Sequence, residues 1–598
     1  MSTPKKHRAM NRRDLVKAAG AGAVALGGIG ASAALAAGPT HWDLEADIVV
    51  IGSGAMGLPA AIVAKEAGLS VIVVEAENHV GGHAIVSGGT VVLGGGTSAQ
   101  KKFGITDSPD LLFSDLTDWT VVEDNGAADY RFNDREIIRA FADNAALTYE
   151  WLAAHGVVFI PIAPDSLDGV SSGNSTPRSM HAASMDWPKV QTGKPLAPEF
   201  RSVTGTGAGL MRPLQAAAEK AGVQILLQHR MTAIYREEPK AGRVLGIAVN
   251  NNGKPLNIMA RQAVIIGTGG STGNVNFRRM FDPRLTEEYC GLAGMPWSDQ
   301  DASGELAGMA IGASLWGFAN QSGEFGSVLS KAGFIGCQYN YMPGSDMLIL
   351  PWLPGSEVFD KARASGLRVA HWEDVILVNM LGKRFYDETQ GAFTADGYNS
   401  IKPYTQDSYR NGANITFKPN NFIDAALAGI GDGHNGGGPI WAIFDADAVA
   451  RENWDPTPPN VDFAAGFFFT ANTVAELAGA IKMQHQRVPM PPGNLEATVT
   501  RYNSFVGSDV DADFGRVAFH KIAKPPFYAA WSTPNIHDTR AGLRINAHCQ
   551  VLDMSGTIIP GLYCGGESAG GFSQHGLARA TCQGYIAGNT AVSQKGKS

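Results

Sequence analysis

The chain has 598 residues, 44% hydrophobic and 17% charged, with 73 glycines, five cysteines and a formal net charge of −8. That length can bury more than one core, and the acidic balance removes the electrostatic argument for nucleic acid or an anionic membrane surface. Five cysteines are too few for a disulfide framework, and without CxxC or CxxCH there is no zinc ribbon, no attached c-type haem and no expected metal site.

Residues 1–37 read as a leader outside the fold. Asn11-Arg12-Arg13-Asp14-Leu15-Val16-Lys17 precedes a weakly hydrophobic run from Ala18 to Ala37, and Ala34-Leu35-Ala36 offers small residues to a signal peptidase. The run is too rich in Gly and Ala for a stable membrane anchor. It resembles a twin-arginine export signal, which implies a periplasmic or secreted protein exported in folded form. A plain N-terminal extension is the alternative.

Asp47-Ile48-Val49-Val50-Ile51-Gly52-Ser53-Gly54-Ala55-Met56-Gly57, then Ser70 to Glu75, reads as strand, glycine turn, helix, strand and acidic residue. A dinucleotide needs that order. Gly52 permits the tight turn, Gly54 lets backbone approach a pyrophosphate, and Gly57 lets the helix pack close. The helix N-terminus offers amides to the phosphates, and Glu75 can accept hydrogen bonds from a ribose. Beyond Gly81–Thr90, apolar spacing predicts helix over Asp134–His155 and Gly209–Ala221. Strands are predicted at Gln224–Gln228, Ala233–Arg236, Val244–Asn250 and Gln262–Ile266, with Asn251-Asn252-Gly253 as a hairpin turn. From Ser314 to about Asn535 the chain is richer in aromatics, Pro and short strands, and reads as an insertion. The nucleotide-domain pattern resumes at Val551–Asp553 and Gly561–Glu567, and closes with a helix over Gln583–Ala591.

Four separated pieces form one pattern: Gly52–Gly57 with Glu75; Gly81–Thr90; Thr268-Gly269-Gly270 with Gly273-Asn274; and Gly561–Gly571. Together they resemble the FAD-binding flavoproteins that include fumarate reductases, succinate dehydrogenases and 3-ketosteroid Δ1-dehydrogenases. The likeness spans about residues 44 to 592, and Val378–Phe385 looks like that family's cap segment VNxxGKRF. The resemblance implies an α/β fold: a Rossmann-like FAD-binding domain of glutathione-reductase type with an inserted α+β cap. The expected divisions are 44–313, 314–536 for the cap, and 537–594.

The resemblance also assigns the cofactor contacts. Gly52, Gly54, Ala55, Met56 and Gly57 would surround the pyrophosphate, and Glu75 and Ala76 the adenosine ribose. Gly82, His83, Ala84, Ser87, Gly88 and Gly89 would line the ribityl chain and flavin. Met231 would meet adenine, and Thr268, Gly269 and Gly270 would back the adenosine side. Gly566 and Glu567 would approach the ribityl chain, with Leu577 and Ala578 at a helix end near the flavin. FAD is expected to be non-covalent, although the succinate enzymes carry a flavin-linked histidine close to the place of His83.

The dicarboxylate enzymes carry an arginine after the Arg-Phe motif. The corresponding Glu388-Thr389-Gln390-Gly391-Ala392-Phe393 has none. The spacing Gly81-Gly82-x4-Ser87-Gly88-Gly89 is nearer the ketosteroid dehydrogenases, although their Tyr-x-Gly-Pro-Gly segment is absent. The expected reaction is dehydrogenation of a CH–CH bond in a bulky cyclic or aromatic carbonyl substrate. A base takes a proton, and hydride passes to flavin N5. Candidate proton-transfer residues are His575, His537, Arg540, Tyr339, Tyr341 and Tyr386, with His371, Tyr398 and Arg579 behind them. The expected partners are a small-molecule substrate and an external acceptor or donor, a quinone or cytochrome. Two other readings stand: a reductase of an activated C=C bond fed by an external donor, and a non-catalytic flavoprotein binding a periplasmic partner.

Overall fold

The computed structural model describes residues 38–117, 133–165, 175–183, 207–281, 286–291, 298–316, 329–330, 334–338, 364–385, 387–388, 438–508, 511–516, 520–533, 535–536, 539, 541–572 and 576–594. The leader lies outside them.

β1 (Leu44–Ile51) ends in Ile48-Val49-Val50-Ile51, all buried, because both faces of a central parallel strand are covered. The chain turns at Gly52 into α1 (Gly57–Glu66) and returns as β2 (Val71–Val74), with Ile48 opposite Val71 and Ile51 opposite Val74. α2 (Arg135–Ala154) is capped by Asp134, whose carboxylate accepts from the amides of Glu136 and Ile137. α3 (Gly207–Ala221) leads into β3 (Gln224–Leu226), which pairs with β2 in parallel.

β4 (Arg230–Glu238) and β5 (Ala241–Asn251) form an antiparallel pair. Asn252 and Gly253, both at positive φ (49° and 90°), then turn the chain into β6 (Lys254–Ile266), as the Asn-Gly signal predicts. β6 is longer than the Gln262–Ile266 strand predicted. Its first half pairs with β5, and its second half enters the parallel sheet beside β1. α4 (Ser303–Ala310) follows.

A four-stranded antiparallel sheet comes next in the chain: β7 (Ile376–Val378), β8 (Trp441–Asp445), β9 (Phe468–Ala471) and β10 (Phe527–Trp531), in the order β7-β8-β10-β9. Alternate residues leave on opposite faces. Leu377, Ala442, Phe444 and Ala530 join one buried cluster. Ile376, Trp441, Ile443 and Trp531 join another, with Leu495, Val499 and Tyr502 of α5 (Pro492–Phe505). Because both faces are covered, β8 is buried throughout and shows no polar alternation.

β11 (Gln550–Leu552) and β12 (Ile558–Cys564) then complete the large eight-stranded sheet, which runs β11-β12-β6-β1-β2-β3 with β4 and β5 attached through β6. α6 (Leu577–Ser593) packs on α1 and α2. Its approach to α1 needs Gly584, where a Cβ would lie 2.2 Å from the Met56 carbonyl oxygen. The fold is thus the α/β class expected, a parallel nucleotide-type sheet with an antiparallel sheet carried between β6 and β11.

Candidate functional site

The site begins at the turn after β1. Gly52 has φ 97°, and a Cβ on Gly57 would sit 1.9 Å from the Gly52 carbonyl oxygen, so the helix can start here only on glycine. Gly54 differs. A Cβ there would meet nothing nearer than the Gly81 carbonyl at 3.9 Å. Internal packing therefore does not require a glycine at this position, and its flank is left open. α1 has no side-chain cap and no acidic residue in its first turn, which leaves its first amides for an anion.

Glu75 follows β2 and is buried. Its Oε2 accepts from the Ser53 amide at 2.9 Å and the Ser53 hydroxyl at 2.6 Å, and its Oε1 accepts from the Glu77 amide at 3.0 Å. Ser53 Oγ in turn accepts from the Gly81 amide at 3.3 Å. Glu75 thus braces the glycine turn, and a carboxylate retains further lone pairs for a ribose.

The opposite wall comes from residues far along the chain. Ser568 Oγ lies 2.9 Å from Thr268 Oγ1 and accepts from the amides of Gly269 and Gly270 at 3.1 and 3.3 Å. Gly566 donates its amide to Gln583 Oε1 at 2.7 Å. Gln300 is buried, and its Nε2 lies 2.8 Å from His83 Nδ1, 2.9 Å from the Gly269 carbonyl and 3.0 Å from Glu567 Oε2. His83 sits on the turn Gly82–Val86, where Ser87 donates its hydroxyl to the Ala84 carbonyl at 2.7 Å. Thr539 is buried, and its Oγ1 accepts from the Ser271 amide at 3.0 Å.

Glu305, in the first turn of α4, is fully buried, and among the described residues no cation stands beside it. Burial pushes its carboxyl up to about 8, and the nearby Asp301 charge adds to the shift.

The structure therefore brings together Gly52, Gly54, Glu75, Gly82, His83, Thr268, Gly269, Gly270 and Glu567, linked through Ser53, Ser568 and Gln300. Ala55 and Met56 lie in the turn, and Ala76 follows Glu75. Ser87, Gly88 and Gly89 complete the turn after His83. Met231 is buried on β4, and Leu577 and Ala578 open α6 after Gly576 at φ 86°. His575, His537, Arg540, Tyr339, Tyr341, Tyr386 and Tyr398 lie outside the described residues. His371 is exposed, and its Nδ1 lies 3.1 Å from Glu452 Oε1. With Asp374 these form a grouping of metal-ligand type, but Arg451 already donates to Asp374 at 2.5 Å. Arg579 is buried, with its guanidinium donating to the Ala569 carbonyl. Ser53, Gln300, Thr539 and Ser568 carried no sequence signal as binding residues. Ser53 and Ser568 stood inside the glycine pieces Gly52–Gly57 and Gly561–Gly571, and Thr539 between the candidates His537 and Arg540, without being singled out; Gln300 stood in no motif.

The sequence pattern of the FAD binding domain matches residues 47–319 and 339–581. A 3-oxosteroid 1-dehydrogenase of Mycobacterium tuberculosis (strain ATCC 25618 / H37Rv) is 24% identical over 629 residues, covering 92% of this chain and 99% of the relative. The acrylate reductase flavoprotein subunit of Shewanella woodyi (strain ATCC 51908 / MS32) is 27% identical, covering 95% of this chain and 94% of the relative. The fold is similar to that of a 3-ketosteroid delta1-dehydrogenase from Sterolibacterium denitrificans, solved in complex with 1,4-androstadiene-3,17-dione. That structure aligns at a TM-score of 0.59 with 20% identity, over 92% of this chain and 100% of the other.

Proposed function

The chain belongs to the FAD binding domain family, and from that premise we propose that it is an FAD-dependent dehydrogenase acting on a CH–CH bond beside a carbonyl in a bulky cyclic substrate. When bound, FAD supplies the hydride acceptor and the route by which electrons leave for a separate quinone or soluble carrier.

The residues around the glycine turn fit that cofactor. The open flank of Gly54 and the uncapped start of α1 suit its pyrophosphate, and Glu75, held by Ser53, suits a ribose. His83, Ser87 and Glu567 lie where the ribityl chain and ring would run. We assign proton transfer to the set His575, His537, Arg540, Tyr339, Tyr341 and Tyr386. Thr539, between His537 and Arg540 in the sequence, accepts from the Ser271 amide.

The observation that carries the substrate class is the fate of the stretch after Arg384-Phe385. Glu388 turns inward, accepting from Arg384 at 2.7 Å and from Arg516 at 2.7 Å, and residues 389–393 include no arginine. A pocket without that cation does not favour a second substrate carboxylate, which is costly to bury unpaired. The end-to-end likeness to a 3-oxosteroid 1-dehydrogenase supports the same reading.

The test is an anaerobic screen in which flavin absorbance is followed as candidate substrates are added. Bleaching by 3-ketosteroids or cyclic ketones is expected. A dicarboxylate such as succinate bleaching the flavin best would overturn the reading. A second reading, reduction of an activated C=C bond, draws on the likeness to the acrylate reductase subunit. It predicts no bleaching by ketones, but reoxidation of chemically reduced protein by acrylate or another enoate.

We also propose export in folded form through the Arg12-Arg13 leader. Fractionation of cells expressing Arg12→Lys with Arg13→Lys should move the protein from periplasm to cytoplasm. An unchanged distribution would remove the proposal.

A further inference from the structure

The Gln300 side-chain amide meets four groups: Thr272 Oγ1, His83 Nδ1, the Gly269 carbonyl and Glu567 Oε2. The Gly269 carbonyl, 2.9 Å from one end of the amide, can only accept a hydrogen bond. The end facing it is therefore the NH₂ group. The other end, Oε1, accepts from the Thr272 hydroxyl at 2.7 Å, which agrees with that orientation. The same NH₂ lies 2.8 Å from His83 Nδ1. Were Nδ1 to carry a proton, two N–H groups would point at each other across that distance. Nδ1 is therefore the unprotonated nitrogen, and a neutral ring must hold its proton on Nε2.

The carboxylate of Glu567 is the one charged group shown facing Nδ1, and it would favour the opposite arrangement. It stands 3.7 Å away, beyond hydrogen-bond range, and itself lies 3.0 Å from the Gln300 NH₂. The amide is nearer and wins. Delivering it is costly for the backbone. Gln300 has φ 45° and Ala302 has φ 61°, both in the left-handed region. Strain of this kind persists where the surroundings hold the residue firmly, and it concentrates at functional sites.

We propose that Gln300 is a positioning residue that fixes His83 in its Nε2–H form, so that His83 sits in the FAD site without becoming covalently attached to the cofactor. In that form Nε2 has no lone pair with which to attack carbon, and the lone pair on Nδ1 is taken up by the Gln300 NH₂ at 2.8 Å. The proposal rests on FAD being the cofactor, and is independent of the substrate.

The test uses the purified FAD-loaded protein. Acid precipitation should leave all of the flavin in the supernatant. Flavin retained on the peptide containing His83 would overturn the proposal. With ¹⁵N-labelled histidine, the His83 resonances are identified by their loss in His83→Gln. They should show Nδ1 unprotonated and Nε2 protonated, and the reverse pattern would overturn the proposal. In Gln300→Glu a carboxylate replaces the donor, so Nδ1 should gain the proton and the imidazole transition should rise by about one pH unit or more. A tautomer and midpoint equal to those of the wild type would reduce Gln300 to a structural role and overturn the proposal. Because the first two measurements are made on the wild type, they decide the matter even if the variant does not fold. Failure to turn over any substrate would count against the proposed reaction while leaving these readouts unchanged.

Discussion

Two glutamates are buried to the same depth in different regions, and they are held in opposite ways. Glu388, under the antiparallel sheet, accepts from Arg384, Arg516 and the Leu377 amide. Burial alone would raise its carboxyl, but the Arg384 and Arg516 charges and hydrogen bonds outweigh it and hold the group down at about 2. Glu305, beside Thr268, has no such cation among the described residues, and burial drives it up to about 8. The antiparallel region seals its charges into a closed cluster. The nucleotide region keeps a neutral acid within its wall and spends its polar groups on presenting loops. Depth does not decide the state of a buried carboxyl; its neighbours do.

The sharpest way to break this contrast is Glu388→Gln. It leaves Arg516 buried without its carboxylate and Arg384 with Asp511 alone, so the variant should lose about 3–5 kcal/mol of unfolding stability at pH 7 in denaturant titrations. The stabilisation from Glu388 is present above its ordinary value of 4.5 and is lost as pH falls toward about 2. The gap between wild type and variant should therefore narrow at pH 3, and a constant gap would show that the cluster is not what the charge holds together.

Glu305→Gln should behave in reverse. A raised carboxyl contributes stability that is present below its ordinary value of 4.5 and is lost as pH rises through about 8. The wild type should fall relative to the variant between pH 5 and 8, by about 2–4 kcal/mol at roughly 1.4 kcal/mol per unit. Parallel curves would mean that Glu305 is already charged at pH 5.

Gly54→Val separates fold from cofactor, because the added side chain projects into open space. FAD affinity should drop about a hundredfold, or about 2.7 kcal/mol. The unfolding midpoint of the cofactor-free protein should stay within the roughly 0.5 kcal/mol of a neutral change. Equal loss of both would place Gly54 with Gly57 as a packing glycine. The smallest effect is expected for Thr539→Val, which removes the acceptor of the Ser271 amide. It should cost about 1 kcal/mol, seen as a several-fold fall in kcat with little change in FAD affinity, and Thr539→Ser should restore activity.

The nucleotide half was legible because its signals are local. Gly52, Gly54, Gly57 and Glu75 fall within one strand-turn-helix-strand unit, and Asn252-Gly253 set its hairpin from two residues. In the second wall the resemblance named Thr268, Gly269, Gly270, His83 and Glu567, but not Gln300 and Ser568, which tie them together. Gln300 meets His83 across 217 residues and Glu567 across 267, and nothing near Gln300 in sequence announces either. The antiparallel sheet was seen only as scattered short strands. Trp441–Asp445 is covered on both faces and so shows no alternation, and its partners Phe468–Ala471 and Phe527–Trp531 lie well down the chain. Glu388 looked like a residue near a substrate motif, and its closure onto Arg516 across 128 residues could be known only from the fold.

The link between Thr268 and Ser568 spans 300 residues, and it sets an order of events at the ribosome. The strand and helix that greet a phosphate are finished by residue 75, yet the groups that close the far side are synthesised hundreds of residues later. At about 5–20 residues per second, the early half waits tens of seconds for its lid. A nascent chain can therefore hold the nucleotide end of its cofactor only loosely, and retention becomes a signal that the segment carrying Ser568 has arrived and docked.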